Sequence, residues 1–321
     1  MQSNIEKSLK KGLCFLNSKQ LPSGEFTTQQ WIMTVNEHRK LNFPIKSVLA
    51  TAFILHSLNK LGKSLDVEKA SKKALNFLLE EKESFGLWRF YGKNSNIVFD
   101  IDSTVCVLGA LKEWKVPLNY ERINSKLMEY RTEQNIFQTW LPDLDPKFCS
   151  IDYNEVDWVI NSNILYFNHL LNSELPQVEA YLAQIVENGD YMKPSINYPS
   201  LSGIYCFSRA YSLCTSTVLD YSASKITDYL KKKISKEDSN DSLLNALSAI
   251  SFMNLASYSC NLIRFIIEKL LKLQRKNGSW PAGVFFSVIS PKFPKVKVKW
   301  GSQELTTALA LEAISEYAYK K

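Results

Sequence analysis

The chain has 321 residues, 45% hydrophobic and 22% charged, so it can bury a large core and is not expected to be disordered. Its net charge of +7 slightly favours an anionic ligand or an acidic membrane surface, but its lysines are spread over many segments, unlike the clustered basic face of a nucleic-acid-binding protein. No apolar stretch reaches the ~18 residues of a membrane span, and the polar N-terminus does not resemble a signal peptide, so a cytoplasmic location is predicted.

Two kinds of helical segment alternate from the first residues onward. The chain begins with a lysine-rich amphipathic segment at 5–16, and an apolar segment rich in small residues follows near Ser47. Further amphipathic segments begin at Asp66, Tyr120, Leu175, Ser222 and Asn261. Further apolar segments begin near Asp102, Glu155, Leu201, Asp241 and Gln303. Each kind therefore occurs six times.

This alternation predicts the architecture. The apolar segments are hydrophobic around most of their circumference and suit inner helices, whereas the amphipathic segments suit outer helices with one face in water. Because the chain starts with an outer helix and ends with an inner one, the last inner helix can close against the first. We predict an all-α (α/α)6 toroid with almost no strand, forming a single domain over residues 1–321. An open solenoid is the alternative. The longest interval between inner helices, 281–300, would cross one mouth of the barrel.

The first candidate site lies at the start of the second inner helix, because the N-termini of inner helices would converge on a central cavity. Asp100 and Asp102 stand two residues apart there and are followed by Ser103. Either aspartate could cap the helix by accepting backbone N–H groups. The same helix N-terminus would also stabilise the conjugate base of a proton-donating acid. Capping and catalysis both remain open.

A second polar pair lies in the third inner segment. Asp157 and Asn161 are four residues apart and so share a helical face. They could bind a metal, orient a substrate or accept a proton, or they could be a satisfied polar pair within the helix. Asp157 is also the best partner for Asp102 in a carbohydrate-active enzyme, where two carboxyl groups face one cavity.

Aromatic residues follow several of the outer helices and would lie near a barrel mouth, where stacked rings could stabilise a carbocation. Those expected to bind substrate are Trp88, Tyr91, Trp140, Trp158, Tyr205, Trp280 and Phe286. Phe90, Phe207 and Phe285 belong to the same group. Core packing is the alternative for each of them.

Basic residues could bind an anionic group of the substrate. Arg209 lies in an otherwise apolar inner segment, so its burial requires an acidic partner or a bound anion such as a diphosphate. Basic residues also occur in the segment before the last inner helix, at Lys292, Lys295, Lys297 and Lys299. The last three alternate with Val296 and Val298, which favours a solvated strand over an anion clamp.

Metal and thiol chemistry have little support in the sequence. The three histidines are far apart, no Cys–His spacing typical of a zinc site occurs, and no metal or cofactor is expected. The six cysteines are widely spaced without a CxxC motif, so reduced thiols are predicted rather than a disulfide framework. They are Cys14, Cys106, Cys149, Cys206, Cys214 and Cys260.

Three short stretches resemble the class II terpene cyclases, the squalene–hopene cyclase family. The segment 100–104, DIDST, looks like the family's Asp-x-Asp-Asp-Thr motif, and the turn at 274–280, QRKNGSW, resembles its Gln-Trp repeats. The closing segment 304–311, which begins with Glu304, resembles its Thr-Thr-Ala-x-Ala-Leu helices. The resemblance implies the toroid fold, and it assigns proton donation to Asp102 with Asp100 beside it. Ser103 stands where the family usually has a third aspartate.

The leading hypothesis is therefore a terpene-cyclase-like enzyme, in which Asp102 protonates an isoprenoid chain held among aromatic side chains. The substrate could carry a diphosphate, and Glu304, Asn161 and Arg209 are further candidates for binding it. A carbohydrate-active barrel that uses Asp102 and Asp157 is one alternative. A non-catalytic toroid that binds a peptide or small ligand is another, and it predicts a filled lumen. Peripheral contact with a membrane is compatible with the charge.

Overall fold

The computed structural model describes residues 2–34, 40–144, 154–236, 240–256, 261–289 and 296–319. Cys149, Cys260, Lys292 and Lys295 lie outside these ranges. Six of the helices are α1 Gln2–Lys19, α3 Leu65–Glu80, α5 Tyr120–Met128, α7 Pro176–Glu187, α9 Asp220–Lys236 and α11 Asn261–Leu273. The other six are α2 Val48–Asn59, α4 Ile101–Glu113, α6 Trp158–Leu170, α8 Ser200–Tyr211, α10 Ser242–Leu255 and α12 Gln303–Tyr319.

The even-numbered helices form a closed inner ring. Each packs against the next in the order α2, α4, α6, α8, α10 and α12, and α12 packs against α2. The prediction of a toroid is confirmed, and the open solenoid is excluded. The inner helices are buried along nearly their whole length, including small and hydroxyl side chains such as Ser57, Thr104 and Ser208. Close packing of six such helices explains why this chain needs only one core.

Four of the described inner helices begin where a short polar side chain accepts a hydrogen bond from a free backbone N–H group. Ser47 accepts from the amide of Ala50 at the start of α2, and aspartates cap α4, α6 and α10 in the same way. Because every inner helix follows an outer helix in the chain, all six N-termini lie at the same mouth of the barrel. Polar residues at those starts are thereby brought together.

Trp88 and Trp280 occupy matching turns between an outer and an inner helix. Trp88 donates its backbone N–H to the hydroxyl of Thr104 and its indole N–H to the carbonyl oxygen of Leu78, at 2.7 Å. Trp280 makes the equivalent two bonds at the start of α12. Both rings are fully buried. These two residues hold the repeats together and do not form the predicted aromatic binding surface.

A small antiparallel sheet was not predicted. Its strands are β1 Thr28–Thr34, β2 Lys40–Ile45, β3 Phe286–Ile289 and β4 Val296–Gly301, in the order β2-β1-β4-β3. The alternation at 296–299 indicated only β4. Two hairpins that are far apart in the chain meet through the β1–β4 pair, in which Gln30 lies opposite Trp300. Since β2 leads into α2 and β4 leads into α12, the sheet lies at the mouth that holds the inner-helix N-termini. No helix among the described residues is long and apolar enough to cross a bilayer.

Candidate active site

A cavity of about 350 Å³ lies between the sheet and the starts of the inner helices. Its volume falls within the range of about 300–1,000 Å³ that is usual for small-ligand pockets. One wall comes from the helix starts and the loops before them, and the other from the sheet. The residues that line it are Gln30, Leu49, Phe90, Tyr91, Ile97, Asp100, Asp102, Thr139, Trp140, Ile160, Asn197, Tyr198, Phe286, Val288, Val298 and Trp300.

Asp102 lies in the first turn of α4 and is only 5% exposed. Its Oδ1 accepts a hydrogen bond from Nδ2 of Asn163 at 2.8 Å, and its Oδ2 accepts one from the hydroxyl of Tyr198. Burial raises the pKa of Asp102 to about 6, although these two hydrogen bonds act to lower it. The group is therefore a carboxyl that can hold a proton near neutral pH inside a cavity.

Asp100 is the N-cap of α4. Its Oδ1 accepts from the backbone N–H of Ser103 at 2.6 Å, while its Oδ2 is buried with no hydrogen-bond partner. Burial, together with the negative charge of Asp102, raises the pKa of Asp100 to about 7. Of the two functions left open for this pair, capping belongs to Asp100 and not to Asp102, whereas catalysis stays a prediction.

Ser103 does not hydrogen-bond Asp102. It donates its backbone N–H to Asp100, and its own hydroxyl oxygen is buried without a partner. The groups that replace a third aspartate beside Asp102 are instead Tyr198 and Asn163. Neither was predicted from the sequence. Tyr198 comes two residues before α8. It therefore lies near the start of an inner helix, as Asp100 and Asp102 do, and these starts converge on the cavity.

Asp157 caps α6 and does not line the cavity. It accepts four hydrogen bonds, from the amide of Val159 at 2.8 Å, the hydroxyl of Ser195 at 2.9 Å, and the backbone and side-chain N–H groups of Asn197 at 2.9 and 3.2 Å. Burial raises the pKa of Asp157 despite these donors. Because Ser195 and Asn197 flank the approach to Tyr198, this cap fixes the loop that carries the phenol to Asp102.

The side chain of Asn161 is also occupied by backbone groups. Its Oδ1 accepts from the amide of Phe137 at 2.9 Å, and its Nδ2 donates to the carbonyl oxygens of Phe137 and Asp157 at 3.0 Å each. The predicted pairing of Asp157 and Asn161 in substrate or metal binding does not fit these contacts. The pair is a structural link between α6 and the loop before it.

Four of the predicted aromatic residues line the cavity, namely Phe90, Tyr91, Trp140 and Phe286. Trp300 completes this aromatic wall: the ring of Phe90 meets those of Phe286 and Trp300 edge to face, with centroids 5.8 and 5.5 Å apart. The phenol oxygen of Tyr91 accepts from Nε2 of Gln30 at 3.0 Å. The unpredicted sheet thus contributes two residues of the wall, Phe286 and Trp300.

The other predicted binding residues lie elsewhere. Trp158 packs against Gly203 of α8, so closely that a side chain at that glycine would collide with the indole. Tyr205 is buried deeper in the lumen, against Phe53 and Phe285. Glu304 is half-buried at the start of α12 and does not border the cavity.

Arg209 is buried inside the ring, as its apolar segment predicted. It was expected to contact either an acidic side chain or a bound anion; the first alternative does not hold among the described residues, and the second stays a prediction. Its guanidinium lies over the rings of Tyr166, Phe53 and Tyr205, at 4.3, 4.9 and 5.5 Å from their centroids. Cation–π attraction is strengthened where the cation is removed from water. Within the described residues, no carboxylate lies within 4.0 Å of it.

A second polar cluster surrounds Arg209 at the C-terminal ends of the inner helices. Nδ1 of His56 lies 2.7 Å from Oε2 of Glu113, and the hydroxyl of Tyr166 donates to Oε1 of Glu113 at 2.6 Å. The hydroxyl of Ser57 donates to Glu312 at 2.6 Å. Glu113 ends the same helix that Asp102 begins, so the two carboxyl groups lie about 16 Å apart at a rise of ~1.5 Å per residue.

No protein-family model matches this sequence, and no curated protein is similar to it. Solved structures do share its fold. The type II terpene cyclase MstE from Scytonema superposes with a TM-score of 0.76 at 12% identity, over 98% of this chain and 99% of that one. An MstE variant in complex with geranylgeranyl dihydroxybenzoate gives 0.75 at 12% identity, over 98% of both chains.

A protein described as a novel alpha-amylase from Clostridium perfringens gives a TM-score of 0.61 at 13% identity, over 97% of both chains. At these identities the likeness establishes the helical toroid and nothing about chemistry.

Proposed function

We propose that the protein is a class II terpene cyclase that starts the cyclisation of an isoprenoid chain by protonating it from Asp102. The observation that carries this proposal is a buried carboxyl group with a pKa raised to about 6 in an aromatic-lined cavity of about 350 Å³. MstE, which has the same toroid, was solved with a prenylated small molecule bound. A non-catalytic toroid was expected to have a filled lumen. The mouth at the helix starts holds the cavity instead.

The first step moves one proton. The O–H bond of Asp102 breaks, the π electrons of a terminal alkene form a new C–H bond, and a carbocation remains on the neighbouring carbon. Further alkenes of the chain attack this cation in turn and close rings. Loss of a proton to water, or capture of water, ends the reaction. The carboxylate left on Asp102 is stabilised by the N-terminus of α4 and by the hydrogen bonds from Tyr198 and Asn163.

The hydrogen bonds to Asp102 also favour one position for the proton. Nδ2 of Asn163 can only donate, so Oδ1 of Asp102 stays an acceptor and the proton is favoured on Oδ2. Tyr198, which contacts Oδ2, itself lines the cavity. An alkene that reaches the bottom of the cavity would therefore meet the oxygen that carries the proton.

The aromatic wall suits the cationic intermediates. Phe90, Phe286 and Trp300 present π systems on the side of the cavity formed by the sheet. Such rings stabilise a cation by about 0.5–2 kcal/mol each without acting as nucleophiles. We propose that this wall holds the isoprenoid chain in the folded conformation that cyclises.

The charge of the cavity points to a substrate whose head group is not anionic. Among the described residues that line it there is no lysine or arginine, whereas two are aspartates. A diphosphate placed there would be desolvated beside carboxyl groups with no counter-charge. Arg209, which was expected to bind such a group, is covered by three aromatic rings. We propose an isoprenoid with an uncharged head.

A carbohydrate-active mechanism has less support, although a structure described as an alpha-amylase shares the fold. It needs a second carboxyl group on the cavity to act with Asp102. Asp157, the predicted partner, accepts four hydrogen bonds and does not border the cavity. Asp100 does border it, but its Oδ1 is engaged as the cap of α4.

The proposal is tested by incubation in heavy water with three substrates: geranylgeranyl dihydroxybenzoate, the geranylgeranyl phenol that lacks its carboxylate, and geranylgeranyl diphosphate. We expect the phenol to give an isomeric cyclised product that carries one additional deuterium, measured by mass spectrometry. The Asp102→Asn variant is the matched control and should give none. Release of diphosphate, or a cyclised product without deuterium, would show that cyclisation starts by another route. No product from any of the three would count against the isoprenoid substrate class.

A further inference from the structure

Three side chains of different metal-binding types meet on the flank of the barrel, away from the cavity. His169 lies in the last turn of α6, Glu179 in the first turn of α7, and Cys214 three residues beyond the end of α8. Nε2 of His169 is 3.6 Å from Oε1 of Glu179, and Sγ of Cys214 is 3.7 Å from the same oxygen. All three ligand atoms lie within 4.8 Å of one another.

These separations are close to those of a tetrahedral zinc site. With bonds of about 2.0–2.2 Å to nitrogen and oxygen and about 2.3 Å to sulfur, neighbouring ligand atoms stand about 3.3–3.6 Å apart. The two distances to Glu179 already approach this value. Only Cys214 has to move inward toward His169, and it lies in a turn with a partly exposed side chain, so a rotation can bring its sulfur closer.

The surroundings of His169 and Glu179 orient their ligand atoms. Nδ1 of His169 lies 3.2 Å from the carbonyl oxygen of Ala210, which can only accept, so Nδ1 carries the proton. The hydroxyl of Ser216 donates to Oε2 of Glu179 at 2.7 Å and leaves Oε1 directed at the other two side chains. A backbone carbonyl behind the histidine and a hydroxyl on the carboxylate are the usual supports of protein metal ligands.

This orientation brings three ligand atoms to one point. Nε2 of His169 faces Oε1 of Glu179 at 3.6 Å. The thiol of Cys214 donates to the same oxygen at 3.7 Å, so a sulfur lies beside the histidine nitrogen and the carboxylate oxygen, which a histidine–glutamate ion pair alone would not require.

We propose that His169, Glu179 and Cys214 bind one Zn²⁺, with the fourth position open to solvent. Imidazole and thiolate favour zinc over magnesium or calcium, which prefer oxygen ligands alone. Because the ligands come from α6, α7 and the turn after α8, the ion would join these three parts of the barrel. This site is independent of Asp102 and of the proposed cyclisation.

The reduced protein, freed of metal with a chelator, is titrated with Zn²⁺ by isothermal calorimetry and separately with Co²⁺, followed by ultraviolet absorption. We expect one ion per chain and a cobalt–thiolate charge-transfer band. Cys214→Ser and His169→Gln should each abolish zinc binding, and Cys214→Ser should also remove the band. Cys14→Ser is the matched control, because Cys14 is an exposed thiol elsewhere in the chain and its loss should change neither measurement.

Ser216→Ala sharpens the test, because it leaves all three ligands in place. Loss of a supporting hydrogen bond typically weakens metal binding by about 10–100-fold, so affinity should fall without loss of the band. Thermal melting of each variant without metal checks that it is folded, and if one ligand variant does not fold, the other decides the result. Absence of zinc binding by the folded wild type would show that the cluster is only an ion pair. A band that persists in Cys214→Ser would likewise overturn the proposal.

Discussion

The two ends of the lumen both hold buried carboxyl groups, and the cavity described above borders the end at the helix starts. At the helix starts, Asp102 borders a cavity of about 350 Å³. At the helix C-termini, Glu113 and Glu312 are packed among His56 and Tyr166 with Arg209 nearby. Burial raises the pKa of Glu312 to about 7, comparable with about 6 for Asp102. A raised pKa therefore does not by itself identify a catalytic acid, and access to a cavity decides between the two.

The acidic pair at one end and Arg209 at the other each lie where a helix dipole stabilises their charge. Asp100 and Asp102 lie at the positive end of α4. Arg209 lies in the last turn of α8, where a positive charge is stabilised. One end can thus stabilise a carboxylate left by proton transfer, while the other holds a buried cation permanently.

The largest expected effect on turnover is the difference between two carboxyl-to-amide substitutions, one at each end of the lumen. Asp102→Asn removes the acidic proton but keeps the shape and one acceptor oxygen, so activity should fall by at least about 10²–10⁴-fold. Glu312→Gln changes an equally buried carboxyl group that does not reach the cavity, and turnover should stay within a few-fold of the wild type. Product formation measured by mass spectrometry under identical conditions compares them.

Two further measurements are needed to interpret the turnover of Asp102→Asn and Glu312→Gln. Thermal melting should show that Asp102→Asn remains folded, since the cap of α4 belongs to Asp100. Asp100→Asn should reduce activity less than Asp102→Asn, because the amide still accepts from Ser103. If Asp102→Asn is active, or if Glu312→Gln is equally inactive, the acid has been assigned to the wrong residue.

A change of pH is expected to alter the reaction rate by a smaller factor than Asp102→Asn does. The acid must be protonated, so the rate should fall as pH rises above about 6, by about tenfold per pH unit. Since Asp100 has a pKa raised to about 7 and interacts with Asp102, the two carboxyl groups lose their protons in two steps that belong to the pair. A pH profile of kcat/KM for the wild type and for Glu312→Gln should show the same falling limb.

Tyr198→Phe tests whether the hydrogen bond from Tyr198 to Asp102 sets the pH at which the rate falls. The phenol donates to Asp102 and lowers its pKa, so its removal should move the falling limb to higher pH. A tyrosine that served only to pack the loop would lower the rate without moving the limb. An unshifted limb would therefore remove Tyr198 from the acid's hydrogen-bond network.

The sequence predicted the helical ring more completely than it predicted the site. Inner and outer helices differ in how much of their circumference is apolar, and that difference is visible without any tertiary contact. The sheet is not visible in this way, because its strands are short and β1 pairs with β4 from the other end of the chain. Phe286 and Trp300, two residues of the aromatic wall, lie opposite each other in the β3–β4 pair of this sheet.

Helical phase separates the two asparagines of α6. Asn161 and Asn163 are two residues apart, so they point about 200° apart around α6 at ~3.6 residues per turn. The sequence does not show which of them faces Asp102, since both neighbourhoods are apolar. Only the tertiary structure places Asn163 on Asp102 and Asn161 on the backbone of Phe137. The histidine, glutamate and cysteine of the proposed zinc site are likewise spread over 46 residues, on two helices and a turn, and no local spacing reveals them.

The smallest expected effect on turnover comes from the packed end of the lumen, where Glu113→Gln should change stability instead. Burial lowers the pKa of His56 to about 4, so this ring is neutral at pH 7. Although burial alone would raise the pKa of Glu113, the contacts with His56, Lys60 and Tyr166 lower it to about 2. The carboxylate is therefore strongly favoured in the folded state, and its hydrogen bonds are charge-assisted.

Replacing this carboxylate with an amide should lower the free energy of unfolding by about 1.5–3 kcal/mol at pH 7, the usual contribution of a hydrogen bond to a charged group. Because the folded pKa lies below the usual 4.5, the stabilisation is complete above about pH 4.5 and is lost as pH falls through about 2. Urea unfolding at pH 7 and at pH 3 should show a smaller difference between wild type and variant at the lower pH. Turnover at pH 6 should remain near that of the wild type. Loss of activity in folded Glu113→Gln would show instead that the two ends of α4 are functionally coupled, because the substituted group lies about 16 Å from Asp102 at ~1.5 Å per residue.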